Sequence, residues 1–265
     1  MSTELLDLTR SIAVEAGELA ARRRREGVEV AATKSSIVDV VTAADSEVEE
    51  LIRRRIAEAR PQDAILGEEG GASGGTSGVT WVVDPIDGTV NYLYGIPHYA
   101  VSVAVVEGDA DPLVWQALAG AVFNPANGEL YTAARGGGAH LGGTAIRIAD
   151  AVPLEQALVA TGFAYDATMR GVQGAVAARL LPLVRDIRRN GTASLDLAYV
   201  AAGRLNAFYE RTLNPWDHAA GALVAAEAGA VVKGLGVDRP SREFLITGHP
   251  DVVGPLEALL VELGV

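Results

Sequence analysis

Apolar side chains at Leu5, Leu8, Ile12, Ala16, Leu19 and Ala20 recur on one helical face, which predicts a helix from Glu4 to about Glu26. Thr42-Ala-Ala-Asp45 has the form of a capping box. It opens a second helix that buries Val48, Leu51, Ile52 and Ile56 and stops near Arg60, just before Pro61. Ile65-Leu66 then starts a short strand leading into Gly67-Glu68-Glu69, and the Gly/Ser/Thr-rich stretch 70–78 reads as a flexible surface loop. Thr80 to Val83 is a buried strand running straight into Asp84-Pro85-Ile86-Asp87-Gly88-Thr89. Strands are expected at Ala100 to Val106 and Val114 to Phe123, and Asn127-Gly128 signals a hairpin into Glu129 to Ala133.

Beyond about Asp150 the texture changes. Short apolar runs at Leu158–Thr161, Ala207–Tyr209, Ala230–Val232 and Phe244–Thr247 alternate with helical patterns at Arg170–Ile187, Ser194–Ala202, Asp217–Ala228 and Pro250–Leu263. Alternation of this kind is an α/β signature. It predicts two domains: an α+β unit over 1–147 and an α/β unit over 148–265.

Composition narrows the chemistry. With 49% hydrophobic residues in 265, a sizeable core is expected. No apolar run reaches the ~20 residues of a membrane helix. Glu4 and Asp7 stand where a signal peptide would be basic, so a cytoplasmic protein is expected. The absence of cysteine removes disulfides, thiol nucleophiles and thiolate metal sites, and four scattered histidines argue against zinc. Any metal site must therefore be built of oxygen, which suits magnesium, manganese or calcium. A net charge of −12 disfavours nucleic acid and anionic membranes as partners. The run Arg22 to Arg25 reads as cations complementing the C-terminal end of the first helix.

The hexapeptide from Asp84 to Thr89 carries the strongest chemical signal. Two carboxylates three residues apart at a strand end can converge on one cation or bridge two. Pro85 stiffens the turn, and the amides of Gly88 and Thr89 can cradle an anion. Taken alone, the same residues also suit an ordinary Asx turn. Glu68 lies at another strand end, where a solvated loop is the plainer reading. Asp217 precedes an apolar helix, where an N-cap is the plainer reading. Lys34 and Asp45 are individually weak, as a surface lysine and a capping residue. His218 is read as structural.

Together these segments resemble one family. Lys34-Ser-Ser, Asp39, Thr42 and Asp45, then Gly67-Glu68-Glu69, Trp81-Val-Val-Asp84-Pro-Ile-Asp87-Gly-Thr89 with Asn91, Gly191-Thr192-Ala193, Glu210 and Trp216-Asp217 follow the order and spacing of the inositol monophosphatase family, with a flavour of high-GC Gram-positive bacteria. The resemblance implies a layered α-β-α-β-α sandwich of the inositol monophosphatase/fructose-1,6-bisphosphatase type, homodimerisation, and Mg²⁺-dependent hydrolysis of myo-inositol 1-phosphate or a similar small phosphomonoester. It places one Mg²⁺ on Glu68, Asp84 and the Ile86 carbonyl, and a second on Asp84, Asp87 and Asp217. Glu68 could help a weaker third, and Mn²⁺ could substitute. Gly88 and Thr89 would bind the phosphate, and Ala193 and Glu210 would meet substrate hydroxyls. Asp45 and Thr89, with Glu68, would orient a water for in-line attack. Lys34 would lie in a loop near the metals that influences lithium sensitivity.

Three alternatives stay open at this point. The same core could hydrolyse histidinol phosphate or fructose 1,6-bisphosphate, although a bisphosphate would want basic residues in the pocket. The fold could serve as a regulatory interaction surface. The acids could merely hold calcium, a role for which the Gly88-Thr89 amides are surplus.

Overall fold

The computed structural model describes residues 2–28, 30–33 and 40–265, so Lys34 and Asp39 lie outside the described residues. The first half runs α1 (Ser2–Glu26), β1 (Val30–Thr33), β2 (Val40–Thr42), α2 (Ala43–Ala59), β3 (Ala64–Gly67), β4 (Gly71–Ser73), β5 (Val79–Asp87), α3 (Thr89–Tyr94), β6 (Ala100–Glu107), β7 (Gln116–Asn124), β8 (Glu129–Ala134), β9 (Ala139–Leu141) and β10 (Thr144–Ile146). The second half follows with β11 (Leu158–Thr161), α4 (Ala167–Leu180), β12 (Asp186–Arg188), α5 (Ala193–Ala201), β13 (Ala207–Glu210), α6 (Pro215–Glu227), β14 (Val231–Lys233), β15 (Leu245–Gly248) and α7 (Pro250–Leu263).

Strands β3 to β10 form an eight-stranded sheet in the order β10-β9-β8-β7-β6-β5-β3-β4, antiparallel except where β3 meets β5. A second sheet has the order β12-β11-β13-β15-β14, its first three strands parallel. β1 and β2 pair as a separate antiparallel ribbon.

Strand periodicity sorts the side chains into layers. From β5, Trp81 and Val83 enter a core with Ile12, Ala16, Val48 and Ile52 of α1 and α2. Val82, pointing the other way, enters a core with Leu195 and Ala198 of α5 and Ala220 and Val224 of α6. The second sheet divides likewise. Ala160, Phe208 and Leu245 pack on Leu197 and Val200 of α5, while Val159, Tyr209 and Ile246 pack on Val176 of α4 and Val252, Leu256 and Leu260 of α7. The result is the expected α-β-α-β-α sandwich, with α5 and α6 as its central layer. Gly221 lets those two helices touch, since a Cβ there would fall 2.8 Å from Leu197 Cβ.

Several local expectations needed correcting. The helix expected over 170–187 ends at Leu180, because Pro182 breaks it into a short 3₁₀ turn, and Asp186–Arg188 instead pairs with β11. The stretch 70–78 is not a free loop: Gly71–Ser73 pairs with β3, and the amides of Thr76 and Ser77 donate to the Gln62 carbonyl at 2.8 and 3.1 Å. Helix α3 and strands β9 and β10 had too few residues to show a period.

Candidate active site

The hexapeptide Asp84–Thr89 closes β5 with a bulge. Asp84 pairs with Ser102 and Asp87 with Ala100, so three steps along β5 match two along β6. In a regular strand Asp84 and Asp87 would face opposite sides; the extra residue puts them on the same one. That side is the one facing α5 and α6, where Val82 and Ala100 are buried. Pro85 costs the bulge no hydrogen bond because it has no N–H to lose. The Ile86 amide donates to Asp84 Oδ1 at 3.1 Å, so the Asx turn is present as well.

Three helix N-termini surround this bulge. Gly88, at φ 90°, caps α3 in a left-handed conformation that a side chain would strain. A Cβ there would also collide with Thr192 Oγ1, so the chain before α5 sits directly against the turn. Asn91 fixes that approach by donating from Nδ2 to the carbonyls of His98 and Asn190, both at 2.8 Å. Ser194, in the first turn of α5, donates its amide to Asp87 Oδ2 at 2.7 Å. Asp217 is not the N-cap expected of it: α6 starts two residues earlier at Pro215, Asn214 is the N-cap, and Asp217 is the third helical residue, closing a capping box by accepting from the Asn214 amide at 2.6 Å. That bond leaves the rest of its carboxylate to the cavity.

Asp45 performs its capping role too. Its Oδ2 accepts from the amide and the hydroxyl of Thr42 at 2.8 and 2.5 Å. Its Oδ1 accepts from Thr89 Oγ1 at 3.3 Å, and that hydroxyl also lies 3.1 Å from the Ile86 carbonyl. Thr89, Asp45 and Ile86 thus form one hydrogen-bonded group beside the carboxylates.

A cavity of about 660 Å³ gathers Glu68, Asp84, Ile86, Asp87, Gly88, Thr89, Ala193, Glu210 and Asp217 around a common space. Of the expected site residues in the described structure, only Asp45 stands behind this wall, acting through Thr89. Its electrostatics are dominated by crowded acids. Burial, followed by the charges of Glu68, Asp87 and Asp217, pushes the Asp84 carboxyl well above the usual range. Asp217 is raised by burial and then by Asp87 and Glu68. Burial lifts Asp87 to about 6, against the opposing Ser194 hydrogen bonds, and lifts Asp45 to about 7. Glu210 rises to about 8, through burial and then through Asp196, with Arg189 opposing.

Among the described residues, no three Asp, Glu or His side chains close into a compact cation-binding group. The acids line an open cavity instead. Such a donor set, all oxygen and acceptor-only, fits a hard divalent cation that keeps some of its waters. Burial first, and the charges of neighbouring acids after it, raise the carboxyls of Asp84, Asp87 and Asp217.

Several lining residues were not singled out from the sequence: Phe163, Arg189, Thr212 and Arg242. Arg189 lies two residues before the Gly191-Thr192-Ala193 motif, and that proximity was a usable signal. Thr212 has φ 72°, a backbone state no sequence pattern announces. Arg242 donates to Asn214 Oδ1 at 2.5 Å across 28 residues, so only the fold reveals it. His218 lies elsewhere: it is buried against the Trp115 ring, with centroids 6.0 Å apart, and burial lowers its imidazole to about 4.

Fold and cavity define an enzyme that handles an anion beside clustered carboxylates at helix N-termini, the setting of a metal-dependent phosphatase. The chain belongs to the Inositol monophosphatase family, whose sequence profile matches residues 1–251, and members of this family are generally metal-dependent phosphatases acting on small phosphomonoesters. It is 46% identical to the inositol-1-monophosphatase of Mycobacterium leprae, over 98% of this chain and 93% of that one. It is 38% identical to the Nus factor SuhB of Escherichia coli K12, over 94% and 92%. The crystal structure of the extragenic suppressor protein suhB from Bartonella henselae superposes with a TM-score of 0.90 at 35% identity, covering 99% of this chain and all of that one. No helix among the described residues is long and apolar enough to cross a membrane.

Proposed function

We propose that the protein hydrolyses myo-inositol 1-phosphate and related polyol monophosphates to the alcohol and inorganic phosphate, using Mg²⁺. The observation that carries this reading is the bulge in β5, which turns Asp84 and Asp87 to one side, into the cavity that Glu68, Asp217 and Glu210 also line. Glu68, Asp84, Asp87, Asp217 and the Ile86 carbonyl are the proposed ligands of two ions, with a weaker third at Glu68. Bound Mg²⁺ would supply the positive charge that lets a phosphate dianion enter an acidic cavity, and would make a water a better nucleophile.

This chain's own residues do the rest. The amides of Gly88 and Thr89, at the head of α3, would donate to phosphate oxygens. Thr89 Oγ1, held between Asp45 and the Ile86 carbonyl, would orient the attacking water together with Glu68. Glu210 and the head of α5 at Ala193 line the side left for the alcohol. Arg242 lines the same cavity, and its charge favours hydrolysis of a bisphosphate as a second reading. The complete carboxylate set speaks for turnover over a purely regulatory role. The proposal also carries Mn²⁺ in place of Mg²⁺, inhibition by lithium, a homodimer and a cytoplasmic setting.

Phosphate release with Mg²⁺ from inositol 1-phosphate, histidinol phosphate and fructose 1,6-bisphosphate tests the assignment. Inositol 1-phosphate is expected to lead in kcat/KM. A tenfold lead for either competitor, about 1.4 kcal/mol of transition-state preference, would overturn it.

A further inference from the structure

Glu210 and Arg189 are held on consecutive residues of one segment. The Glu210 carboxylate lies over Gly162, where any Cβ would collide with it. The next residue, Phe163, offers its ring to Arg189, whose Cζ sits 6.0 Å from the ring centroid. Arg189 reaches there by folding across Gly191, where a Cβ would collide with Nη1. Gly162, Phe163, Arg189, Gly191 and Glu210 all line the cavity that holds the phosphate site. Among the described residues, Arg189 and Glu210 form no ion pair with each other, yet the Arg189 charge is felt at Glu210. Arg242, the other cation lining the cavity among the described residues, is already engaged by Asn214.

We propose that Arg189 and Glu210 form a clamp for two neighbouring hydroxyls of the leaving alcohol, which makes Arg189 a specificity-determining residue. The inference rests on the phosphomonoesterase reading above and deepens it by naming the leaving-group class. Ionised, as it is above about pH 8, Glu210 can only accept, and a guanidinium can only donate. A hydroxyl does both, so one hydroxyl of a vicinal pair donates to Glu210 while its neighbour accepts from Arg189. Other leaving groups satisfy half of the clamp. An ammonium group suits Glu210 and is repelled by Arg189; a second phosphate suits Arg189 and is repelled by Glu210. A neutral polyol suits both, so the clamp favours it over an amino alcohol phosphate or a bisphosphate.

The test compares full-length wild type, Arg189→Gln and Arg189→Lys, each with Mg²⁺, on three substrates. These are inositol 1-phosphate, fructose 1,6-bisphosphate and 4-nitrophenyl phosphate, whose leaving group has no vicinal hydroxyls. Arg189→Gln is expected to lose about tenfold or more in kcat/KM on inositol 1-phosphate, mostly through KM. Its 4-nitrophenyl phosphate turnover should stay within about twofold, which also shows that the variant folds, and Arg189→Lys should recover part of the loss. Equal losses on both monoesters, no loss on inositol 1-phosphate, or a loss confined to the bisphosphate would each overturn the clamp. The wild-type rates test the parent reading separately: an enzyme with no preference for inositol 1-phosphate over 4-nitrophenyl phosphate sinks that reading, whatever the variants do.

Discussion

Asp87 answers to three neighbours at once. Its Oδ2 accepts the Ser194 amide at the head of α5, its backbone closes the β5 bulge against Ala100, and its charge adds to that of Asp84 and Asp217. Only the last of these depends on ionisation. An asparagine keeps an acceptor for Ser194 and leaves the bulge intact, so Asp87→Asn separates charge from architecture. The variant is expected to fold and to be no less stable than wild type in EDTA, since one source of like-charge repulsion is gone. Its turnover should fall by more than about 100-fold, the scale seen when one preorganised electrostatic group is removed. Mg²⁺ should raise the Tm of wild type, by mass action on the folded state, and raise that of Asp87→Asn much less. Activity assays and thermal melts across a Mg²⁺ titration check both points. Undiminished turnover, or an equal Mg²⁺-dependent Tm gain in the two proteins, would remove Asp87 from the metal site.

Among the elements, the loop carrying Glu68 shows how a site is positioned from a distance. Glu49 of α2 is almost fully buried, accepts the amides of Glu69 and Gly70 at 2.7 and 2.8 Å, and pairs with Arg53 at 2.7 Å. A Cβ at Gly67 would collide with this carboxylate, so the turn can reach it only because residue 67 is glycine. Glu49→Ala leaves two amides without their acceptor and loosens the turn just after Glu68, whose own amide stays on the Val83 carbonyl at 3.3 Å. We expect about a 10–100-fold loss of activity at limiting Mg²⁺, partly recovered at saturating Mg²⁺. Kinetics at two Mg²⁺ concentrations check this, and a loss independent of Mg²⁺ would mean that Glu49 acts elsewhere. Nothing in the sequence singled out Glu49, because the amides it holds lie 20 and 21 residues away and it looks like one more acid on a helix. Elements with a long period were legible: α1, α2, β5, β6 and α7 fall within a few residues of expectation. Local caps were legible too, and Thr42 with Asp45 forms the box its spacing implied. What escaped was short or non-local. Strands of three residues have no measurable period, and helix α4 was overrun because Pro182 was outweighed by the apolar residues around it. The acidic side of the cavity could be listed from motifs, whereas Arg242 and Phe163 enter it only through chain crossings.

At the scale of the whole molecule, one well-made ion pair among the described residues ties the larger sheet to the turn that leads into β13 of the smaller one. Arg204, in the turn between α5 and β13, donates through Nη1 and Nη2 to Glu129 at 2.8 and 2.5 Å, and Glu129 belongs to β8 of the larger sheet. Tyr131 donates its hydroxyl to the same carboxylate at 2.8 Å, and the guanidinium lies 5.0 Å from the Tyr199 ring centroid. The Arg204 hydrogen bonds, against a smaller opposing effect of burial, bring the Glu129 carboxyl down from 4.5 to about 2. A folded-state value below the unfolded one means that the pair stabilises fully above about pH 4.5. That contribution then fades as pH falls through about 2. Glu129→Gln is therefore expected to be less stable at pH 7 by about 1–3 kcal/mol, the range for a charged hydrogen bond whose partner is removed. The gap to wild type should hold down to about pH 5 and narrow steadily below it. Urea unfolding of both proteins at pH 7, 5 and 3 measures this directly. A gap of constant size across that range would assign the loss to packing of Tyr131 and Arg204 and leave the charge without a role. A narrowing gap would make this pair an acid-sensitive tie between the sheets whose loops together build the cavity.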